Sequence, residues 1–218
     1  MNIQEDCAEK RIIKIKLCTK KDITPLFFIV LQEGVFVKTQ VGRSVRTVLK
    51  DIFNINDELI EKRISTILLD GKVVDDIDSV IIKENSSLSI SGAMPGLAGA
   101  TMRRHSKYET FRTAITYIEK KDPYPVKTCC FAIKIFNILL VELAKKLLKQ
   151  GIILHAYQLR QLFSEKKDRL KDYINYAYIN ETKVKPSDSW GFMEKYINDD
   201  RYLIYLNIKT SGEEEDDC

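Results

Sequence analysis

The chain has 218 residues, of which 44% are hydrophobic and 30% charged, and its formal net charge is +4. This length fits one large domain or two of about 100 residues. The composition is that of a globular protein and excludes a low-complexity or disordered chain. The longest apolar stretch, residues 131–148, is interrupted by charges, so we expect no membrane span. The first residues lack the basic and apolar regions of a signal peptide, which predicts a cytoplasmic location.

Cysteine and histidine usage argues against a disulfide framework or a metal site. The five cysteines are an odd set without C-x-x-C spacing, and only two histidines are present. Zinc sites and disulfide scaffolds require closer and more regular spacing of these residues. We therefore expect no metal and no cofactor. The cysteines are Cys7, Cys18, Cys129, Cys130 and Cys218.

The first half of the chain alternates β-favouring runs with one amphipathic helix. Val45, Val48, Leu49 and Ile52 follow at helical spacing after Ser44, a residue typical of helix N-caps. The dipeptide Asp70-Gly71 between two apolar runs predicts a hairpin turn. In chain order we predict strands at 11–17, 27–31 and 35–40, a helix at 45–53, a hairpin at 64–74 and a strand at 88–91.

Residues 92–100 contain three glycines and one proline. This composition predicts a loop rather than a helix or a strand. Its spacing matches neither a P-loop nor a dinucleotide-binding loop. Backbone amides at Gly96 and Gly99, followed by Arg103 and Arg104, form a candidate anion-binding loop. Residues 111–118 would form a further strand.

The second half repeats the element order of the first. We predict a strand at 131–136, a helix at 139–150 that ends before Gly151, a strand at 152–154 and a helix at 157–163. A strand at 176–179, a turn at Asn180-Glu181 and a strand at 202–208 then follow. Residues 174–211 thus repeat the strand–turn–strand–loop–strand order of residues 64–91. The repetition indicates two copies of one small α+β unit.

On these elements, residues 129–212 resemble the β-grasp sulfur carriers. Within that superfamily they are most similar to the small subunit of molybdopterin synthase and to its thiamine-pathway relative. Residues 27–96 resemble the same family more loosely. The resemblance implies an α+β chain of tandem β-grasp (ubiquitin-like) domains, in which a mixed sheet grips a helix. The implied organisation is a domain at 1–96, a linker at 97–128, a second domain at 129–212 and an acidic tail at 213–218.

The resemblance also bears on function. The family's carriers end in Gly-Gly, whose carboxylate is adenylated and converted to a thiocarboxylate. The matching position here is Ser211-Gly212, and six further residues follow it. We therefore expect a non-catalytic protein-binding or adaptor protein in a sulfur, molybdenum or tungsten cofactor context. A sulfur carrier activated by C-terminal processing, with Ser211 and Gly212 as its terminus, is the alternative.

Aromatic residues of the second half are the candidate interface. Tyr202 and Tyr205 lie at opposite parity on one strand, so at least one of them faces outward. Trp190 falls in a predicted loop, either as a lid over the core or as an interface anchor.

A protein partner is favoured over nucleic acid, and an enzyme is the least favoured class. The isoelectric point of 8.6 is below that of a strongly basic nucleic-acid-binding domain. No nucleophile elbow, P-loop lysine or Ser/His/Asp grouping is present. The basic face of the nucleic-acid alternative would comprise Arg103, Arg104, Lys107, Lys145, Lys146, Lys149, Lys166, Lys167, Arg169 and Lys171.

Overall fold

A computed structural model describes residues 11–119 and 124–211, with the backbone alone at 113, 186–190 and 192. The described chain is a mixed α+β protein with ten strands and seven α-helices. It divides into two compact units, one formed by residues 1–30 with 147–218 and the other by residues 31–146. No helix in the described part is both long enough and apolar enough to cross a membrane.

The secondary-structure elements are numbered in chain order. The strands are β1 (Arg11–Thr19), β2 (Val35–Val41), β3 (Thr66–Leu69), β4 (Lys72–Val73), β5 (Ser87–Ser91), β6 (Lys127–Phe136), β7 (Ile152–His155), β8 (Ile174–Ile179), β9 (Thr182–Val184) and β10 (Tyr202–Thr210). The helices are α1 (Phe28–Glu33), α2 (Val45–Phe53), α3 (Asp57–Arg63), α4 (Gly96–Met102), α5 (Ile138–Gln150), α6 (Ala156–Tyr173) and α7 (Pro186–Ile197), with 3-10 turns at Thr24–Phe27 and Glu109–Ile115.

The unit formed by residues 1–30 and 147–218 contains the strand order β7-β10-β1-β8-β9. Its central pair is parallel, with Arg11 opposite Tyr202 at one end and Thr19 opposite Thr210 at the other. The other neighbouring strands are antiparallel. Helix α6 contacts β7 and β10, and α7 contacts β8. Alternate strand residues point towards these helices and are buried, which forms the core of the unit.

The unit formed by residues 31–146 contains the strand order β4-β3-β5-β6-β2. Here β5 and β6 are parallel, while the other neighbours are antiparallel. The side chain of Ser44 accepts a hydrogen bond from the Thr47 amide and so caps α2. The buried stripe of α2 is the one predicted from the sequence, and the helix contacts β2. The buried residues of the stripe are Val45, Val48, Leu49, Ile52 and Phe53.

The structure divides the chain at different places from the predicted 1–96 and 129–212. Parallel pairing with β10 places β1 in the unit that contains residues 147–218. Antiparallel pairing with β2 places β6 in the unit of residues 31–146. Both pairings join segments that are far apart in sequence, and local patterns carry no signal for such pairings.

Three local predictions in the first 118 residues were wrong. The predicted strand at 27–31 is helical, since a 3-10 turn with proline in its first turn begins at Thr24 and continues into α1. The predicted loop at 92–100 contains most of α4, in which the Leu97 carbonyl accepts a hydrogen bond from the Thr101 hydroxyl and the Ala100 carbonyl accepts one from the Ser106 hydroxyl. Residues 111–118 form 3-10 structure and one bridge between Thr116 and Val73 rather than a strand.

A buried ion pair fastens the segment between β5 and β6. The Arg112 side chain is inaccessible to solvent, and its Nη2 lies 2.6 Å from Oδ1 of Asp75. Its Nη1 donates to Oδ2 of the same carboxylate at 2.9 Å and to the Thr116 hydroxyl at 3.1 Å. This bidentate geometry fixes the distance of Arg112 from Asp75 and the orientation of its guanidinium.

Candidate functional site

One face of the sheet in the unit of residues 1–30 and 147–218 lies on the side opposite helix α7. On β1, Ile13, Ile15 and Leu17 are buried, whereas Lys14 and Lys16 point to the opposite side. Helix α7 lies on the isoleucine side, because its Tyr196 contacts Tyr202, which shares the face of Ile204. Ile204 is paired directly with Ile13. The lysine side therefore faces away from α7.

Strand register gathers tyrosines and lysines on this second side. Lys14 is paired with Tyr205 of β10, and Lys16 is flanked by Asn207 on one side and Tyr178 on the other. Tyr178 is in turn paired with Lys183 of β9. Directly paired residues point to the same face of a sheet. We call the resulting surface the Lys-Tyr face, and it comprises Lys14, Lys16, Tyr176, Tyr178, Lys183, Tyr205, Asn207 and Lys209.

Ammonium groups lie over the tyrosine rings of this face. The Nζ atom of Lys183 is 3.9 Å from the ring centroid of Tyr176, and Nζ of Lys16 is 5.5 Å from that of Tyr178. The Tyr176 and Tyr178 rings meet edge to face at 5.8 Å. These are favourable cation–π and aromatic geometries. They hold the half-buried rings of Tyr176 and Tyr178 beside the ammonium groups of Lys16 and Lys183.

The face contains a shallow open depression of about 390 Å³. This volume lies at the lower end of the range of ligand-binding clefts. The lining includes Lys14, Lys16, Tyr178, Glu181, Tyr205 and Asn207. Glu181 is the acidic residue of this lining, and it lies 3.5 Å from Lys14 with 85% of its side chain exposed. An ion pair this exposed is weak, so the lysine charge is available to a partner.

Tyr205 and Asn207 also hold the end of helix α5. The Tyr205 hydroxyl donates to the Gln150 carbonyl at 2.9 Å, and the Asn207 side chain donates to the Lys149 carbonyl. The last carbonyls of a helix have no intrahelical partner, so these contacts satisfy them. The chain then turns at Gly151 with φ of +108°. The position of the Tyr205 ring is thereby fixed.

The two predicted interface tyrosines lie on opposite faces of β10. Tyr205 belongs to the Lys-Tyr face, while Tyr202 packs against Tyr196 on the helical side, with ring centroids 5.5 Å apart. Trp190, predicted in a loop, lies instead within α7, which begins at Pro186 and contains Gly191. Proline and glycine in a short segment favour a loop prediction. The side chain of Trp190 lies outside the described atoms.

The predicted carrier-like terminus is only partly described. The Ser211 amide donates to the Thr19 carbonyl at 2.8 Å, and its hydroxyl accepts from Asn175 at 2.9 Å. These contacts tie Ser211 to the end of the central strand pair. Gly212 and the acidic residues 213–218 lie outside the described residues.

The residues of the predicted anion-binding loop lie within and just after α4. Gly96 begins α4 with φ of +78°, and a side chain at Gly99 would collide with Met94. Arg104 is buried, with 4% of its side chain exposed, and its Nη2 lies 3.0 Å from Oε2 of Glu61. Its charge is thus matched by an internal carboxylate. The Arg103 carbonyl accepts a hydrogen bond from the guanidinium of Arg112.

Cys129 illustrates how a local environment lowers reactivity. Burial, together with the hydrogen bond of its thiol to the Glu84 carboxylate at 2.7 Å, raises the pKa of Cys129 to about 11. Because the thiolate is the reactive form, we expect Cys129 at pH 8 to react with iodoacetamide about 100-fold more slowly than an ordinary thiol. Time-resolved alkylation read by mass spectrometry measures this rate. In Glu84→Gln the rate should rise, and an unchanged rate would exclude the carboxylate as a cause.

Sequence reasoning missed most of the Lys-Tyr face. The sequence shows that Lys14 and Lys16, and likewise Tyr176 and Tyr178, are two positions apart and so share one face of a strand. Only the register of β1 with β8 and β10 shows that these pairs lie side by side. Within the described residues no group of three or more histidine, cysteine or acidic side chains is placed to hold a metal ion. Comparison of the chain with protein-family models, curated proteins and solved structures finds no match.

Proposed function

We propose that this chain is a non-catalytic binding protein and that the Lys-Tyr face is its contact surface. The observation that carries the proposal is the register that aligns three tyrosines and four lysines on the side of the sheet away from α7. Tyrosine offers a large contact area with little loss of conformational entropy, which makes it frequent at binding surfaces. The surface therefore combines anchoring rings with positive charge.

The charge balance of the face defines the kind of partner. Two of its lysines, Lys14 and Lys16, line the depression together with one acidic residue, Glu181. Complementary potentials steer association and exclude partners of like charge. The depression is open and is lined by three neighbouring strands and the turn at Glu181, so it suits a segment that lies on the surface rather than an enclosed small molecule. The proposed partner is an extended, negatively charged chain.

The β-grasp relationship remains part of this proposal. It is supported by the mixed sheet of each unit and by the helix that packs against it, α2 in one unit and α6 in the other. The order of strands along the chain departs from the predicted hairpin–helix–hairpin–strand, because residues 27–31 are helical. An adaptor role in a sulfur, molybdenum or tungsten cofactor context, like the carrier alternative, rests on the resemblance alone.

Site-specific photo-crosslinking in the native cell tests the proposal. Benzoylphenylalanine replaces Tyr178 on the Lys-Tyr face or, as the matched control, the exposed Gln161 on α6 of the same unit. We expect covalent adducts at position 178 and few or none at position 161. Adducts of equal yield at both positions, or none at position 178, would contradict a binding role for this face.

A further inference from the structure

We propose that the partner of the Lys-Tyr face is a single-stranded nucleic acid. This inference rests on the proposed function and adds the chemical class of the partner. Proteins that bind single strands combine aromatic side chains, on which bases stack, with cations that follow the phosphates. The Lys-Tyr face holds both components on one surface, and the register of its strands sets their spacing.

The arrangement across the three central strands fits an extended strand of nucleotides. Tyr178 on β8 and Tyr205 on β10 stand on either side of β1, which carries Lys14 and Lys16 between them. Neighbouring strands are about 4.8 Å apart, so the two outer strands are about 10 Å apart. A sugar-phosphate backbone above β1 would meet the two ammonium groups, and bases turned outward would reach a ring on each side.

Single strands suit this surface better than duplexes. A duplex keeps its bases stacked inside and is read by elements that enter a groove. The tyrosine rings here lie on a sheet, and the helix end described at this face, that of α5, is held against it by Tyr205 and Asn207. Bases of a single strand are free to unstack and lie against such rings. An acidic peptide would satisfy the lysines but would leave the rings without stacking partners.

The lysines predict a defined salt dependence. Displacement of cations from single strands gives a slope of log affinity against log salt of about −0.7 for each phosphate contacted. With four lysines engaged, raising monovalent salt from about 50 to about 200 mM should weaken binding about 50-fold. The double variant Lys16→Gln, Lys183→Gln should reduce this effect to about 7-fold.

The tyrosines predict an effect specific to the ring. Loss of one base-stacking ring typically weakens binding by about 5- to 150-fold. Tyr178→Leu keeps an apolar side chain of similar bulk but removes the aromatic face, whereas Tyr178→Phe keeps that face. We therefore expect Tyr178→Leu to show this loss and Tyr178→Phe to bind nearly as well as the unaltered protein.

Fluorescence anisotropy with the full chain tests the inference. The probes are a labelled oligouridylate about 15 nucleotides long, a duplex of the same length and polyglutamate. The inference predicts that oligouridylate binds most tightly and that Tyr178→Leu weakens it while Tyr178→Phe does not. Circular dichroism confirms that each variant is folded. Tyr178→Leu and Tyr178→Phe are compared by the ratio of their dissociation constants. A modest loss of stability that both variants share does not change this ratio.

Other outcomes separate failure of the inference from failure of the proposed function. Polyglutamate or duplex bound as tightly as oligouridylate, or equal binding by Tyr178→Leu and Tyr178→Phe, would overturn the nucleic-acid assignment. No oligouridylate binding together with protein adducts at position 178 would overturn it too, while a protein-binding face would stand. Absence of both binding and adducts would overturn the inference and the proposed function together.

Discussion

Replacing Arg112 with methionine should lower the free energy of unfolding by about 3 kcal/mol. The guanidinium is inaccessible to solvent and makes two hydrogen bonds to Asp75. Methionine fills much of the volume but leaves the Asp75 carboxylate, 26% exposed, without its cation. Urea denaturation followed by circular dichroism gives the difference between variant and unaltered protein.

Two companion variants identify the cause of this loss. Arg112→Met with Asp75→Leu removes both charges and should recover most of the stability, since an apolar pair of similar volume replaces a buried ion pair with little loss. Arg201→Met breaks the pair with Asp199, in which the arginine side chain is 88% exposed, and should change stability by less than about 1 kcal/mol. Equal losses for Arg112→Met and Arg201→Met would refute a structural role for the buried pair.

The second large effect is expected at Gly151. This residue has φ of +108°, and a Cβ atom there would lie 2.2 Å from the Tyr205 hydroxyl oxygen. Gly151→Ala thus adds backbone strain and a collision with a ring that is held by its bond to the Gln150 carbonyl. We expect a loss of about 2 to 5 kcal/mol in the free energy of unfolding. Thermal and urea unfolding measure it.

Gly71 provides the matched control for backbone strain alone. It has φ of +78°, and no atom lies within 4 Å of the place its Cβ would take. Gly71→Ala should therefore lose only about 1 to 2 kcal/mol. If Gly151→Ala loses no more than Gly71→Ala, the close contact between Gly151 and Tyr205 does not constrain the protein.

Turn residues made both tight hairpins predictable. Asp70 and Gly71 both adopt positive φ between β3 and β4, as do Asn180 and Glu181 between β8 and β9. Asparagine, aspartate and glycine adopt this conformation more readily than other residues, so their position in the sequence marks a turn. The amphipathic stripe of α2 was equally clear, because its apolar spacing matches one helical face over nine residues.

The wrong predictions have physical reasons. A short apolar run such as residues 27–31 fits a buried strand and a buried helix equally well. The Thr24-Pro25 pair ahead of it, with Asp22 accepting from the Thr24 amide, is a helix-start signal that was available. In α4, the glycines predict a loop, but Gly99 permits close approach of the helix to Met94.

The candidate site could be predicted only in part. Strand alternation correctly implied that Tyr202 and Tyr205 point to opposite faces. It could not show that Lys14 lies beside Tyr205, because this contact depends on parallel pairing between the two ends of the described chain. The basic residues predicted from the sequence to form a binding face include Arg104, which instead forms an ion pair with Glu61.

Lysine footprinting tests the central claim most directly. The full chain is briefly acetylated with and without oligouridylate, and the modification of each lysine is read by mass spectrometry. The Lys-Tyr face predicts protection of Lys14, Lys16, Lys183 and Lys209, with no protection of the helix lysines Lys145, Lys166 and Lys171. Protection of the helix lysines while the four face lysines react as before would contradict the account.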